Sequence, residues 1–159
     1  MKKGCILLLA LTLLFPACNR TSAMEQALTD TVLRIQNAIA DEKDFIAADT
    51  DFTADNIGTP AYLEESAVCF GAEGKMREFG IFRLSDRTKA TEFKEHLRAY
   101  LKNEREALSS LAELYPAEEL AERISLYENA TVGNEGMLVY YFILDEKETQ
   151  KALQSLTGR

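Results

Sequence analysis

The run MLVYYFIL, residues 137–144, is the clearest indication of how this chain folds. Its side chains are apolar on both faces of a strand, which is typical of a strand in the middle of a sheet. The segment GNEG, residues 133–136, comes directly before it and predicts the turn of a hairpin. Asp145 follows the run and is expected to cap a final helix that ends near Leu156.

Working towards the amino terminus, three more strands and two helices are predicted. Alternating residues between 124 and 132 predict the strand that pairs with 137–144. Before it, residues 116–122 predict a short helix and residues 87–114 a long one, with Ser85 and Asp86 as its candidate caps and Tyr115-Pro116 as its end. Residues 68–72 and 76–84 predict another hairpin, joined at 73–75.

The predicted fold class is therefore α+β. We expect a two-layer domain with a four-stranded, mostly antiparallel sheet in ββαββα order and helices on one face. An amino-terminal helix over residues 23–41 precedes this core, because Ser22 and Glu25 form a capping box and apolar residues then recur at helical spacing. Residues 42–65 are expected to form an acidic loop, and residues 66–157 the core, within a single domain over 23–159.

The first residues of the chain are typical of an export signal. Lys2 and Lys3 precede an apolar stretch over 6–15 that is short for a membrane span. Residues 14–18, Leu-Phe-Pro-Ala-Cys, resemble a bacterial lipobox, in which the cysteine receives the lipid. The sequence therefore predicts a signal peptide over 1–17, lipidation of Cys18, and a lipidated amino terminus with a short tether over 18–22. A plain secreted protein and an uncleaved membrane anchor are the alternatives.

Charge and cysteine content narrow the function classes. The 159 residues carry 18 basic and 26 acidic side chains, and removal of Lys2 and Lys3 with the signal changes the net charge from −8 to −10. So acidic a domain lacks the basic face that nucleic acid requires. Of the three cysteines, Cys5 lies in the signal and Cys18 is the lipidation site, so Cys69 is the one thiol left for the mature domain. We interpret it as a small buried hydrophobic residue.

Several motifs together resemble a known family. They are the export signal, the turn Tyr115-Pro116-Ala117-Glu118 after a long helix, and the Gly133-Asn134 turn before an apolar strand that ends at Asp145. Over residues 66–155 the chain resembles a family of small bacterial lipoproteins labelled as a domain of unknown function, serial 4358. The resemblance implies a lipoprotein on the outer face of the cell membrane. It implies no activity and no catalytic residue.

A search for reactive side chains gives no catalytic, cofactor-binding or metal-binding prediction. His96 lies among charged residues of the long helix, where a solvated or edge-packed side chain is expected. Residues 49–55 alternate oxygen-bearing side chains, but the EF-hand pattern fails at Ala54 and Pro60. Pairs such as Glu64-Glu65 do not naturally face one pocket.

The sequence therefore predicts a membrane-anchored lipoprotein on the extracytoplasmic face that binds or scaffolds without catalysis. Its expected partners are the lipid bilayer, through acylated Cys18, and a protein of the cell envelope. A cell-wall or peptide hydrolase is the main alternative, and a small-ligand accessory of a transporter is the second.

Overall fold

A computed structural model describes residues 27–40, 44–111 and 117–157 of the chain. The predicted α+β class is confirmed, and the sheet is antiparallel, as expected. It has five strands where four were predicted. In spatial order they are β1 (Phe45–Ala47), β2 (Leu63–Gly71), β3 (Glu78–Leu84), β5 (Leu138–Ile143) and β4 (Thr131–Glu135).

In the part of the chain that the structure describes, five α-helices accompany the sheet. They are α1 (Leu28–Ile39), α2 (Phe52–Asn56), α3 (Ala90–Leu111), α4 (Ala117–Glu128) and α5 (Glu146–Thr157). One 3-10 turn at Ala72–Gly74 joins β2 to β3, and another at Arg87–Lys89 leads into α3. No helix within the described ranges is long and apolar enough to cross a membrane.

Helices cover both faces of the sheet. Successive side chains of the inner strands point alternately to two apolar clusters, one on each face. Phe79 and Ile81 of β3 pack in one cluster with α1 and α5, and we call this side the α1/α5 face. Phe82 and Leu84 of β3 pack in the other cluster with α3, and we call this side the α3 face. All four side chains are fully buried.

The prediction of a two-layer domain with helices on one face is therefore wrong. Strand β5 contributes Val139 and Tyr141 to the α3 face and Phe142 to the α1/α5 face. Burial of a side chain of this size stabilises the fold by roughly 1.5–3 kcal/mol, so neither face can be left to water. Helix α1, which was predicted as an element preceding the core, is what covers the second face together with α5.

Three boundaries also differ from the prediction. The segment 42–65, expected as an acidic loop, contains β1, α2 and the start of β2. Residues 124–128, expected in a strand, belong to α4, and β4 begins only at Thr131. Helix α1 begins at Leu28, because Ala27 has non-helical backbone angles (φ −51°, ψ 141°), and the predicted start over residues 23–26 lies outside the described residues. The proposed capping residues Ser22 and Glu25 lie outside the described residues.

Both predicted acidic caps in the described part of the chain are confirmed. The Asp86 carboxylate accepts a hydrogen bond from the Thr88 amide at 2.8 Å, at the start of the 3-10 turn before α3. The Asp145 carboxylate accepts one from the Glu148 amide, also at 2.8 Å, in the first turn of α5. Each cap satisfies a backbone N–H that the helix itself leaves without a partner.

Candidate functional site

A buried carboxylate, Glu78, is the most unusual polar group of the sheet. It is the first residue of β3 and points to the α3 face, with only 6% of its surface exposed. Glutamate is almost never buried to this degree unless it is paired. Glu78 has no cationic partner within ion-pair distance among the described residues. Other groups must therefore offset the free-energy cost of removing its carboxylate from water.

Three tyrosine hydroxyls supply that compensation. Tyr141 and Tyr100 both donate hydrogen bonds to Glu78 Oε1, at 2.5 Å and 2.7 Å, and Tyr127 donates one to Oε2 at 3.1 Å. The three donors come from β5, α3 and α4, so three elements converge on one carboxylate. We call Glu78, Tyr100, Tyr127 and Tyr141 the Glu-Tyr cluster.

A glycine makes room for the deepest of these rings. Gly80 of β3 pairs with Tyr141 of β5, and a β-carbon at position 80 would overlap the Tyr141 ring and the Phe82 ring. The missing side chain lets the Tyr141 ring lie flat on β3, from where its hydroxyl reaches Glu78. Gly80 is therefore part of how the sequence positions the cluster.

Burial sets the electrostatics of the cluster. It raises the pKa of the Glu78 carboxyl above its ordinary value, and the three hydroxyls partly offset this by lowering the pKa. Glu104 on α3 raises the pKa of Glu78 further by charge repulsion. Burial and the nearby Glu78 charge also raise the pKa values of Tyr100, Tyr127 and Tyr141. The three phenols are therefore neutral donors at physiological pH.

Three members of the Glu-Tyr cluster, Glu78, Tyr100 and Tyr127, line a pocket that opens to solvent, and we call the part of it around Glu78 the floor. The pocket has a volume of about 330 Å³ and lies between the sheet, α2, α3 and α4. Its aromatic walls are Phe52, Phe70, Tyr100 and Tyr127. Phe52 packs edge to face against Phe70 and Tyr100, with ring centroids 5.1 Å and 6.0 Å apart. These contacts hold the three rings in fixed positions relative to one another.

Four charged side chains besides Glu78 line the pocket: Lys75, Arg77, Glu104 and Arg123. Two of them are already neutralised, since Lys75 forms an ion pair with Asp44, and Arg77 forms one with Glu148 at 2.5 Å. Within the described ranges, Glu104 and Arg123 form no ion pair. The pocket thus presents one acid and one base that form no ion pair with any side chain that the structure describes.

The residues that the sequence singled out do not meet at this site. Cys18 lies outside the described residues, so its lipidation stays a prediction. His96 is exposed on α3 and stacks on Phe93. Cys69 is buried, as predicted, and burial raises the pKa of its thiol to about 11. Among the described residues no group of histidine, cysteine or acidic side chains could hold a metal ion.

The Glu-Tyr cluster is absent from the sequence-based predictions. Glu78 is the one acidic residue in the predicted strand 76–84, which is a weak signal that could have drawn attention to it. Its partners could not be found that way, because they lie 22, 49 and 63 residues further along the chain. Tyr127 was expected on a strand and lies on α4.

Comparisons of the chain with family models, with curated proteins and with solved structures found no match. The resemblance to the lipoprotein family, serial 4358, therefore stays a prediction, and the chemistry of the pocket has to be argued from its own residues.

Proposed function

We propose that this chain is a lipid-anchored, extracytoplasmic binding module of the cell envelope that holds a small ligand in the Glu78 pocket without transforming it. The pocket, with its buried carboxylate and three converging hydroxyls, carries the binding part of the proposal. The export signal and Cys18 support the location. A small-ligand accessory of a transporter is one form that such a module can take.

The Glu-Tyr cluster favours a functional role because stability alone gives no reason to keep it. A carboxylate without a cation must be desolvated on folding, and well-packed apolar side chains of similar volume are often at least as stable. Groups with perturbed pKa values in a cleft are also concentrated at functional sites. Glu78 is buried, has no cationic partner among the residues that the structure describes, and lines an open pocket.

A rim variant tests this proposal. Asn56 is exposed on α2 and lines the pocket, so Asn56→Trp should obstruct the opening without disturbing the core. Asp55→Trp is the matched control, because Asp55 is equally exposed on the same helix and does not line the pocket.

The measurement is equilibrium dialysis of the full chain, reconstituted in lipid nanodiscs, against a small-molecule extract of the envelope of the producing cells. Mass spectrometry then identifies what is retained. We expect a compound that is retained by the wild type and by Asp55→Trp but lost from Asn56→Trp. Equal retention by all three proteins, or retention by none, would overturn the proposal.

A hydrolase is the second candidate, because two carboxylates, Glu78 and Glu104, line the same pocket. The raised pKa of Glu78 suits a general acid. The hydrogen bonds argue against this role, because three hydroxyls already donate to the Glu78 carboxylate and hold it in place. Turnover of a wall-derived oligosaccharide or peptide that disappears in both Glu78→Gln and Glu104→Gln would make the protein an enzyme.

A further inference from the structure

We infer that the ligand of the Glu78 pocket is a small zwitterion of the amino-acid type, whose ammonium group binds Glu78 Oε2 and whose carboxylate binds Arg123. This inference rests on the proposed function and names the chemical class of its ligand.

The floor of the pocket can accept hydrogen bonds but has none left to donate. A carboxylate has about four acceptor positions, and Glu78 uses two on Oε1 and one on Oε2. Oε2 therefore keeps one free position. Each tyrosine already donates its only O–H group to Glu78 in a hydrogen bond, so its oxygen can act towards a ligand only as an acceptor. A ligand that reaches the floor must consequently bring its own donors.

An ammonium group meets this requirement best. It carries several N–H donors and a positive charge, and Glu78 offers a negative charge without a cationic partner in the described structure. The aromatic walls formed by Phe52, Phe70, Tyr100 and Tyr127 add to the attraction, because the faces of such rings bind cations. Glu104 adds a second negative charge on the α3 side of the pocket. An anion placed against Glu78 would be repelled by its charge and by that of Glu104.

Arg123 provides the complementary half of the site. It lies on α4 four residues before Tyr127, which places both side chains on the same side of that helix. It lines the same pocket as Glu78 and Tyr127. Unlike Lys75 and Arg77, it has no ion-pair partner among the described residues. A guanidinium binds a carboxylate through two parallel hydrogen bonds, so Arg123 favours a ligand with a carboxylate beside its ammonium group.

The size of the pocket agrees with a small molecule. Ligand pockets generally span about 300–1,000 Å³, and this one, at about 330 Å³, is at the lower end of that range. The space suits an amino acid with a short side chain better than a polymer, and the aromatic walls suit an apolar side chain.

Three matched probes test the two charged contacts separately. Norvaline carries both groups, butylamine lacks the carboxylate, and pentanoate lacks the ammonium group. Isothermal titration calorimetry with the full chain in nanodiscs at neutral pH should give the tightest binding for norvaline. Butylamine and pentanoate should each bind about tenfold or more weakly, because each loses a charge-assisted hydrogen bond.

Variants assign each contact to its residue. Glu78→Gln should weaken norvaline and butylamine about tenfold or more and leave pentanoate unchanged. Arg123→Gln should weaken norvaline and pentanoate and leave butylamine unchanged. Arg87→Gln is the matched control, since Arg87 is exposed and does not line the pocket, and it should leave all three affinities unchanged.

A further variant separates ligand binding from folding. Tyr127→Phe keeps the Glu78 charge and frees a second acceptor position on Oε2, so it should retain the preference for norvaline over pentanoate even if it is less stable. Pentanoate binding as tightly as norvaline, no binding of any probe, or norvaline affinity that is unchanged in Glu78→Gln would overturn the inference. If that happens while the wild type still retains an envelope compound that Asn56→Trp loses, the ligand class is wrong and the proposed function stands.

Discussion

Glu78 shows how one residue can link the stability of this protein to pH. Because its pKa is raised in the folded state, the folded chain binds a proton at this side chain more tightly than the unfolded chain does. The contribution of Glu78 to stability is therefore largest at low pH. It declines as the pH rises from the ordinary value of 4.5 through the raised value of the folded protein.

Glu78→Gln tests this sign, because glutamine fills the same space and does not titrate. The free energy of unfolding of the wild type, minus that of the variant, should fall as the pH rises across this window. Other titrating groups largely cancel in the difference. Urea unfolding of both proteins between about pH 4 and about pH 8 measures it. If this difference stays constant or increases with pH, burial does not destabilise the charged form of Glu78, and the prediction is wrong.

Single residues also explain why the site could not be predicted. The sequence identifies positions that are unusual for their local context, such as the caps Asp86 and Asp145. Glu78 is marked in the sequence only as an acidic residue in a predicted strand, and what makes it a site is three tyrosines distant in sequence. Tyrosine in an apolar run is also ordinary core material, so nothing local separates Tyr141 from its neighbour Phe142.

At the scale of elements, α5 depends on its first turn. Asp145 caps the Glu148 amide, and the Glu148 carboxylate in turn forms the ion pair with Arg77. We expect Asp145→Ala to destabilise the protein by about 1 kcal/mol, the usual effect of losing an amino-terminal cap. Urea denaturation at neutral pH measures this change.

Asp51→Ala is the control for this prediction. Asp51 precedes α2 in the same way, but its side chain makes no capping hydrogen bond. Its replacement should change the free energy of unfolding by less than about 0.5 kcal/mol. Equal losses in the two variants would mean that charge near a helix start, and not the Asp145 hydrogen bond, stabilises α5.

The elements that the sequence predicted well have strong periodicity or clear caps, such as β3, β5, α3 and α5. Strand β1 was missed because it has three residues, of which only Phe45 is buried, and it exists through its pairing with β2. Residues 124–128 were misassigned because Ile124 and Leu126 fit an alternating pattern over a short window. Such a window does not distinguish a period of two from a helical one.

At the scale of the whole molecule, the covering of the sheet was implied by residues 137–144 and not recognised. A strand that is apolar on both faces needs cover on both faces, and the amphipathic α1 was available to provide it. Its role is apparent only once the chain is folded, because β1 and α2 lie between α1 and the hairpin it covers. Fold class could thus be predicted from local patterns, whereas the number of layers depends on long-range packing.

The predicted lipid anchor also belongs to this scale, since it would hold every surface of the domain near the bilayer. We expect cells grown with a radiolabelled fatty acid to label the wild-type chain and not Cys18→Ala, because only a thiol at this position can carry the thioether-linked lipid. Cys5→Ala should remain labelled, since Cys5 would be removed with the signal. Label that persists on Cys18→Ala would contradict the lipoprotein interpretation.

The convergence of β5, α3 and α4 on Glu78 also constrains the order in which the protein can mature. During synthesis, β3 is complete long before Tyr141 is made. Glu78 is therefore the first residue of the Glu-Tyr cluster to be made, and it receives its third hydrogen bond only after Tyr141 has been added. Until the final hairpin docks, its charge favours water over the core, which opposes premature closure of the α3 face. The proposed binding site is thus complete only after residue 141 has been made, and a chain interrupted before that residue would lack one of the three donors to Glu78.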